Sequence, residues 1–241
     1  MKAVAVIPAR LASTRLPRKM LRLVAGKTLI GRVYEAVRSA PQFSDVIIAT
    51  DSDEILSLCQ REGWHAQMTS GSHRSGTERV HEISGSIAAD VYINVQGDEP
   101  MVRREQLATL LELMTPPEVQ VGTLKTPAAA IDISNPSAVK VVTEMTGRAL
   151  YFSRATIPHD RDQTHPRYFK HLGLYAYRKA ALDRFVTLPE SFLERSERLE
   201  QLRFLENGIA IHVAETPYDS IGVDTEEDLQ RVEDLLTRSG A

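Results

Sequence analysis

Short β-branched apolar runs alternate with helix-length amphipathic segments through the first half of the chain, and this alternation restricts the fold more than any other feature. Ala3-Val4-Ala5-Val6-Ile7 reads as a strand ending at Pro8, Asp45 to Thr50 as a second, Trp64 to Met68 as a weaker third and Val91 to Val95 as a fourth. Helices are expected at about 29–39, from Asp51-Ser52-Asp53 to a stop at Gly63, over the stretch carrying Val80 and Ile83, and at about 103–114. Parallel neighbours need crossover helices, so this order predicts an α/β fold, a mostly parallel sheet with helices on both faces. The rhythm then changes. Segments 120–126, 138–143, 149–152 and 168–177 are strand-like with no helix between them, which predicts a strand-rich antiparallel extension. A helix at about 193–206, a strand at 209–213 and a last helix reaching Leu236 complete the pattern.

Two charge anomalies sit on this frame. The fourth strand runs into Gln96-Gly97-Asp98-Glu99-Pro100, beyond the carboxyl end of a strand, where open α/β sheets bind ligands. An Asp there can offer oxygen to a hard cation such as Mg²⁺; the alternative is a pair of ordinary turn residues ahead of a helix. The second anomaly follows the first strand. No acidic residue falls between Lys2 and Glu35, whereas Arg10, Arg15, Arg18, Lys19, Arg22, Lys27 and Arg32 all do, in a chain whose net charge is −3. Such a loop is placed to hold phosphates, with Ser13 and Thr14 adding hydroxyls, unless it is a solvated basic surface.

Ala25-Gly26-Lys27-Thr28 imitates the end of a phosphate-binding P-loop, but that motif's first glycine would fall at Leu21 and no strand ends before it. Gly26 is therefore expected in a turn and Thr28 as a helix cap. The small-residue loop 70–79 lets a ligand approach the backbone, with Thr77 expected to cap the next helix and His73 to hydrogen-bond within the loop.

At 241 residues the chain is expected to form a single domain. Its net charge of −3 argues against a general nucleic-acid binder, and Cys59, the single cysteine, fits a reducing compartment. No apolar run reaches membrane-spanning length, and the N-terminus reads as a first strand rather than a secretory signal, so the expected location is cytoplasmic.

IPARLASTRLPRK after the first strand, SGTER at 75–79 and NVQGDEP at 94–100 are followed in order by NPSAVKVV, ALYFSRATIP, KHLGLYAY, LEQLRFLENG and IGVDTEEDL. Together these resemble the CMP-Kdo synthetases, the 3-deoxy-manno-octulosonate cytidylyltransferases that activate the Kdo sugar of bacterial lipopolysaccharide. The resemblance spans essentially the whole chain. It implies a Rossmann-like nucleotidyltransferase sheet, with a nucleotide-binding half at 1–118, a sugar-binding and dimerisation extension at about 119–180, and closing helices and a strand at 181–241. It also implies the reaction of CTP with Kdo to give CMP-Kdo and diphosphate, Mg²⁺ as cofactor, and a homodimer.

For single residues, the resemblance implies that Arg10, Ser13, Arg15 and Lys19 hold the triphosphate, with Arg10 and Lys19 catalytic, and that Arg74, Ser75 and Thr77 lie near the cytosine or ribose. Asp98 and Asp224 would carry Mg²⁺. Gln96, Arg154, His171, Tyr175, Glu200 and Gln201 would bind the acidic sugar. His171 and Tyr175 share one face of a strand, where a packed pair is the plain alternative, and Glu200 and Gln201 are adjacent on a helix, so only one can face the core squarely. The chain departs from the family's LPGKPL, with Arg18 for Gly and Met20 for Pro, and carries Arg74 beside SGTER where many relatives are neutral.

A sugar-1-phosphate enzyme would show a glycine-rich first loop, which the segment after the first strand lacks, and a glycosyltransferase a DxD pair, a spacing that Gln96-Gly97-Asp98-Glu99-Pro100 does not have. The alternatives left open are a cytidylyltransferase for a related acidic sugar, either Kdo aminated at its terminal carbon or a nonulosonic acid, and a non-catalytic nucleotide-binding protein. Asp224 precedes the last helix, but Thr225 with Asp228 can cap that helix, which leaves Asp224 free to point into the cleft.

Overall fold

Every residue of β1 (Ala3–Ala9) is buried, as its unbroken apolar run requires of a central parallel strand. The computed structural model describes residues 1–13, 15–40, 42–164 and 166–239, so Thr14 lies outside the described residues. The chain divides into two compact units, Met1–Ala108 with Ser220–Ala241, and Thr109–Asp219.

In the first unit β1 leads through the basic segment to a small hairpin, β2 (Leu23–Val24) and β3 (Lys27–Thr28). The hairpin turns on Ala25 at φ 46° and Gly26 at φ 80°, and a two-residue turn of this hand needs both angles positive. Next come α1 (Leu29–Arg38), β4 (Asp45–Thr50), α2 (Asp53–Glu62), β5 (Ala66–Met68), α3 (Gly76–Ser86) and β6 (Val91–Asn94), with α4 (Arg104–Leu113) leading into the second unit. The sheet order is β6-β1-β4-β5, all parallel, with Val4 facing Asp45 on one side and Tyr92 on the other. Helices α1, α2 and α3 pack against it.

Local chemistry sets most of these ends. Thr28 Oγ1 accepts from the Gly31 N–H at 3.2 Å, and Ser52 caps α2, which Gly63 ends at φ 70°. At α3 the expectation is corrected. Ser75 is the cap, its Oγ accepting from the Glu78 N–H at 3.3 Å, while Thr77 lies fully buried inside the first turn. The C-terminal helix, Glu226–Ser239, packs Leu229, Val232 and Leu236 over Leu16, Val24, Leu29 and Val223. That cluster anchors the basic segment through Leu16.

In the second unit β7 (Val121–Pro127) is paired along both edges, antiparallel with β10 (Phe169–Tyr177) and parallel with the last strand, Ile211–Glu215. Between them the chain forms α5 (Ala130–Ile133) and the antiparallel pair β8 (Lys140–Thr143) and β9 (Ala149–Ser153). After β10 come α6 (Lys179–Thr187), α7 (Phe192–Glu197), α8 (Leu202–Glu206) and that last strand, β11. Two expectations change here. Helix α6 was not anticipated, although Ala181, Leu182 and Phe185 give it a buried face. The helix expected at 193–206 is two helices, broken at Arg198 with φ 54°. Buried Leu199, Leu202 and Phe204 lie three and two residues apart, a spacing that one continuous helix cannot bury on a single face. Among the described residues no helix is long and apolar enough to cross a membrane.

Candidate active site

A cleft of about 290 Å³ opens in the first unit, where β1 and β6 end. Arg10, Ser13, Arg15 and Lys19 line it from the segment after β1, Gln96 and Asp98 from the turn after β6, and Asp224 from the approach to the C-terminal helix. Gly97 between them is required by packing, since a Cβ there would come 2.8 Å from the Pro8 carbonyl oxygen.

The two carboxylates are positioned by backbone. The Val223 N–H donates to the Asp98 carbonyl at 2.9 Å, which joins the turn after β6 to the approach of the C-terminal helix. Asp228 Oδ2 accepts from the N–H groups of Thr225 at 2.9 Å and Asp224 at 3.1 Å, and Thr225 Oγ1 accepts from the Asp228 N–H at 3.2 Å. This is a reciprocal cap, and it leaves the Asp224 side chain to the cleft, as expected. Glu99 turns away; its carboxylate is buried and accepts from Ser220 Oγ at 3.0 Å. Of the adjacent acid pair, only Asp98 faces the cleft.

Lys19, only 7 % exposed, sets its ammonium 2.6 Å from Asp98 Oδ2 and 3.0 Å from Asp224 Oδ1. Arg15 reaches the other Asp224 oxygen at 2.9 Å. Burial works against the charged lysine, but Asp98 and then Asp224 outweigh it and raise its pKa above the ordinary value. Two carboxylates converging on one cation form a donor set that fits a hard metal ion such as Mg²⁺. Among the described residues no third Asp, Glu, His or Cys joins them, so the remaining ligands would be phosphate oxygens and water.

The other cations of the basic segment have different partners. Arg18 donates to Glu54, Arg22 to Glu226 at 2.5 Å and Lys27 to Glu35 at 2.6 Å. Arg32 donates to the carbonyls of Val24 and Ala25, which holds the hairpin turn. Arg18 also stands in the left-handed region at φ 55°, where the family's glycine is at ease, and Met20 packs beneath Gly97.

On loop 70–79, Gly76 alone reaches the cleft lining. Arg74 is exposed, Ser75 uses its hydroxyl as the cap and Thr77 is buried. His73 hydrogen-bonds Glu82, as a loop residue would. Sequence reasoning missed Arg79, which is completely buried, pairs with Asp51 and donates to Thr69 Oγ1 at 2.6 Å. Its signal was a long cation on the apolar side of α3, beside Val80 and Ile83.

The second unit holds most of the residues assigned to the sugar. His171 and Tyr175 belong to β10, where residues four apart would ordinarily be about 13 Å from each other. A bulge changes that spacing: Leu172 faces Leu124 and Tyr175 faces Thr123, which leaves Gly173 and Leu174 as extra residues. The two rings come within 5.3 Å. Burial lowers the His171 pKa to about 3, so the ring is neutral. Thr123 Oγ1 can donate its one proton to the Leu174 carbonyl at 2.8 Å; it then accepts from His171 Nε2–H at 3.0 Å, and Nδ1 is left as the acceptor. Burial, Tyr177 and Glu200 hold the Tyr175 phenol well above its usual pKa. Among the described residues, the buried Tyr175 hydroxyl and Gln201 Nε2 make no hydrogen bond of ordinary geometry. Gln201 is the N-cap of α8 and Glu200 precedes it in the turn after α7, so the two do not lie within one helix as was expected.

Arg154 donates to the backbone carbonyls of Glu197 at 2.8 Å, Pro136 at 3.0 Å and Arg198 at 3.4 Å. Three of its five N–H groups are thus engaged, and one on each terminal nitrogen is left for a ligand. Glu197, which sequence reasoning did not single out, accepts from Ser153 Oγ at 2.6 Å and the Arg154 N–H at 2.9 Å.

A parallel sheet with a cationic loop after β1, one carboxylate in the turn after β6 and a second brought to it from the approach to the C-terminal helix fits a nucleotidyltransferase of the α/β type. The comparisons narrow this. A family model described as cytidylyltransferase matches residues 4–211. The 3-deoxy-manno-octulosonate cytidylyltransferase of Koribacter versatilis is 67% identical over 236 residues, covering 98% of this chain and 90% of that protein. The protein of the same name from Acidobacterium capsulatum is 57% identical over 232 residues, covering 96% of this chain and 95% of its own. A solved CMP:2-keto-3-deoxy-manno-octonic acid synthetase complexed with CTP superposes at a TM-score of 0.95 with 42% identity, over 99% of this chain and 100% of that one. A cytidylyltransferase from Leptospira borgpetersenii, at 15% identity and a TM-score of 0.64, shares the fold alone. The chain belongs to the 3-deoxy-manno-octulosonate cytidylyltransferase family.

Proposed function

We infer that the chain transfers the cytidylyl group of CTP to 3-deoxy-D-manno-octulosonate, giving CMP-Kdo and diphosphate. The observation that carries this reading is the convergence of Lys19 and Arg15 on Asp98 and Asp224 in the cleft of the first unit. The anomeric hydroxyl of the sugar attacks the α-phosphorus as the bond to the diphosphate oxygen breaks. Arg10, Ser13, Arg15 and Lys19 hold the triphosphate, and Lys19 meets charge as it gathers on the leaving diphosphate. Arg74, Ser75 and Thr77 are assigned to the cytosine and ribose end, where Gly76 supports close approach.

Asp98 and Asp224 would hold Mg²⁺, which when bound supplies Lewis-acid polarisation of phosphoryl oxygens. Gln96, Arg154, His171, Tyr175, Glu200 and Gln201 are assigned to the sugar acid. The two uncommitted Arg154 N–H groups suit its carboxylate, and neutral His171 with the buried Tyr175 hydroxyl and Gln201 amide suits its hydroxyls. The active form is a two-fold homodimer in the cytoplasm. Fully exposed Met145 and half-exposed Leu150, at the turn and edge of the β8–β9 pair, support an apolar interface there.

The test is diphosphate release. It should require CTP, Kdo and Mg²⁺ together, and light scattering at micromolar concentration should give twice the chain mass. Turnover of neuraminic acid, or of Kdo aminated at its terminal carbon, in place of Kdo would reassign the sugar. CTP binding without any release would mark a non-catalytic nucleotide-binding protein.

A further inference from the structure

Four charges close on one another in the cleft. Lys19 Nζ touches both carboxylates, at 2.6 Å from Asp98 and 3.0 Å from Asp224, and Arg15 holds the second Asp224 oxygen at 2.9 Å. Two negative groups face two positive ones, so the chain's own residues balance the cluster. Lys19 is also no waving surface cation. Its stem is buried, the single turn Lys19–Leu21 fixes its backbone, and Leu16 anchors the segment among Val24, Val223 and Leu229.

A divalent cation arriving alone would leave this cluster with two positive charges in excess. It would also have to strip a nearly buried ammonium of both its carboxylates, which is unfavourable unless another anion takes their place. A triphosphate is such an anion. Its oxygens accept from Lys19 and Arg15, and that releases carboxylate oxygens for the metal.

We propose that Lys19, assisted by Arg15, is an electrostatic lock on Asp98 and Asp224 that excludes divalent metal until a nucleoside triphosphate draws the two cations away. The proposal rests on the reading of Asp98 and Asp224 as the metal ligands. It makes nucleotide and metal binding mutually reinforcing, each raising the affinity of the other by the same factor. Lys19 dominates because it touches both carboxylates, whereas Arg15 touches one.

The test is Mn²⁺ binding to the full chain without nucleotide or turnover, followed by electron paramagnetic resonance. The wild type should bind Mn²⁺ weakly. Lys19→Met should bind at least about tenfold more tightly, Arg15→Gln should gain less, and Lys19→Arg, which keeps the charge, should match the wild type. Thermal unfolding gives a second readout: Lys19→Met should melt lower than the wild type and recover on addition of Mn²⁺, while the wild type stays put. If Lys19→Met binds Mn²⁺ no better than the wild type and gains no melting temperature from it, the lock is overturned. If the affinity does rise but survives Asp98→Asn in the same chain, the ion sits elsewhere; the proposal falls with the carboxylate assignment, and the two failures are told apart.

Discussion

The Val223 N–H donates to the Asp98 carbonyl oxygen at 2.9 Å, across a sequence separation that no local pattern bridges. This one bond fixes the approach to the C-terminal helix against the turn after β6. The spacing of the Asp98 and Asp224 carboxylates is thereby set by backbone, and the apolar cluster of Leu16, Val223 and Leu229 brings the basic segment to the same place. The cleft is thus built by packing from three distant parts of one unit.

The cations of the basic segment divide into two groups, and kinetics should divide with them. Arg15→Ala and Lys19→Ala each remove a charge-assisted bond, a loss of about 1.5–3 kcal/mol or roughly 10- to 100-fold in kcat/KM. Arg22→Ala and Lys27→Ala disturb only exposed pairs with Glu226 and Glu35, and should leave kcat/KM within about threefold of the wild type. Steady-state kinetics with varied CTP checks this; equal losses in all four variants would contradict the division.

Arg18 invites a different substitution. At φ 55° a non-glycine residue costs about 1–2 kcal/mol, which glycine would relieve at the expense of a more flexible unfolded chain. The exposed contact with Glu54 adds little against either effect. Arg18→Gly is expected to change stability by less than about 1 kcal/mol and to leave the KM for CTP unchanged. A tenfold rise in that KM would show instead that Arg18 contacts phosphate.

His171 should make stability depend on acid. Its pKa is near 6.5 in an unfolded chain and about 3 in the fold. Above pH 6.5 both states are neutral and the residue contributes no pH dependence. Between about 6.5 and 3 only the unfolded chain takes up the proton, so stability falls as pH falls, by up to about 1.4 kcal/mol per pH unit. His171→Phe keeps a ring against Phe152 and Tyr175 and should flatten this slope in urea unfolding measured from pH 7 to 4. Parallel slopes for variant and wild type would mean that the imidazole protonates in place.

Much of this structure was legible because its causes are local. Thr28, Ser52 and Gly63 mark helix ends by their own chemistry, and the Thr225–Asp228 cap lies within four residues of sequence. What was not legible depends on depth and distant partners. Ser75 and Thr77 are equally good caps on paper; only the burial of Thr77 within α3 separates them. Nothing local tells Lys19 from Arg22 or Lys27, because their carboxylate partners come from other elements. The β10 bulge, which draws His171 and Tyr175 together, needs the register of β7 to be seen. Arg79 and Glu197 gain their meaning from Asp51 and Ser153, each far along the chain.

Paired kinetics and melting of Asp224→Asn and Thr225→Ala test the central claim most directly, that the Asp98–Asp224 cleft is where the nucleotide reacts. The reciprocal cap belongs to Thr225 and Asp228, while the Asp224 carboxylate faces Lys19 and Arg15. Asp224→Asn is therefore expected to lose most of its kcat with a nearly unchanged melting temperature. Thr225→Ala is expected to lose about 1 kcal/mol of stability and keep most of its turnover. Full turnover by Asp224→Asn, with the stability loss falling on that variant instead, would make Asp224 a helix cap and contradict the account.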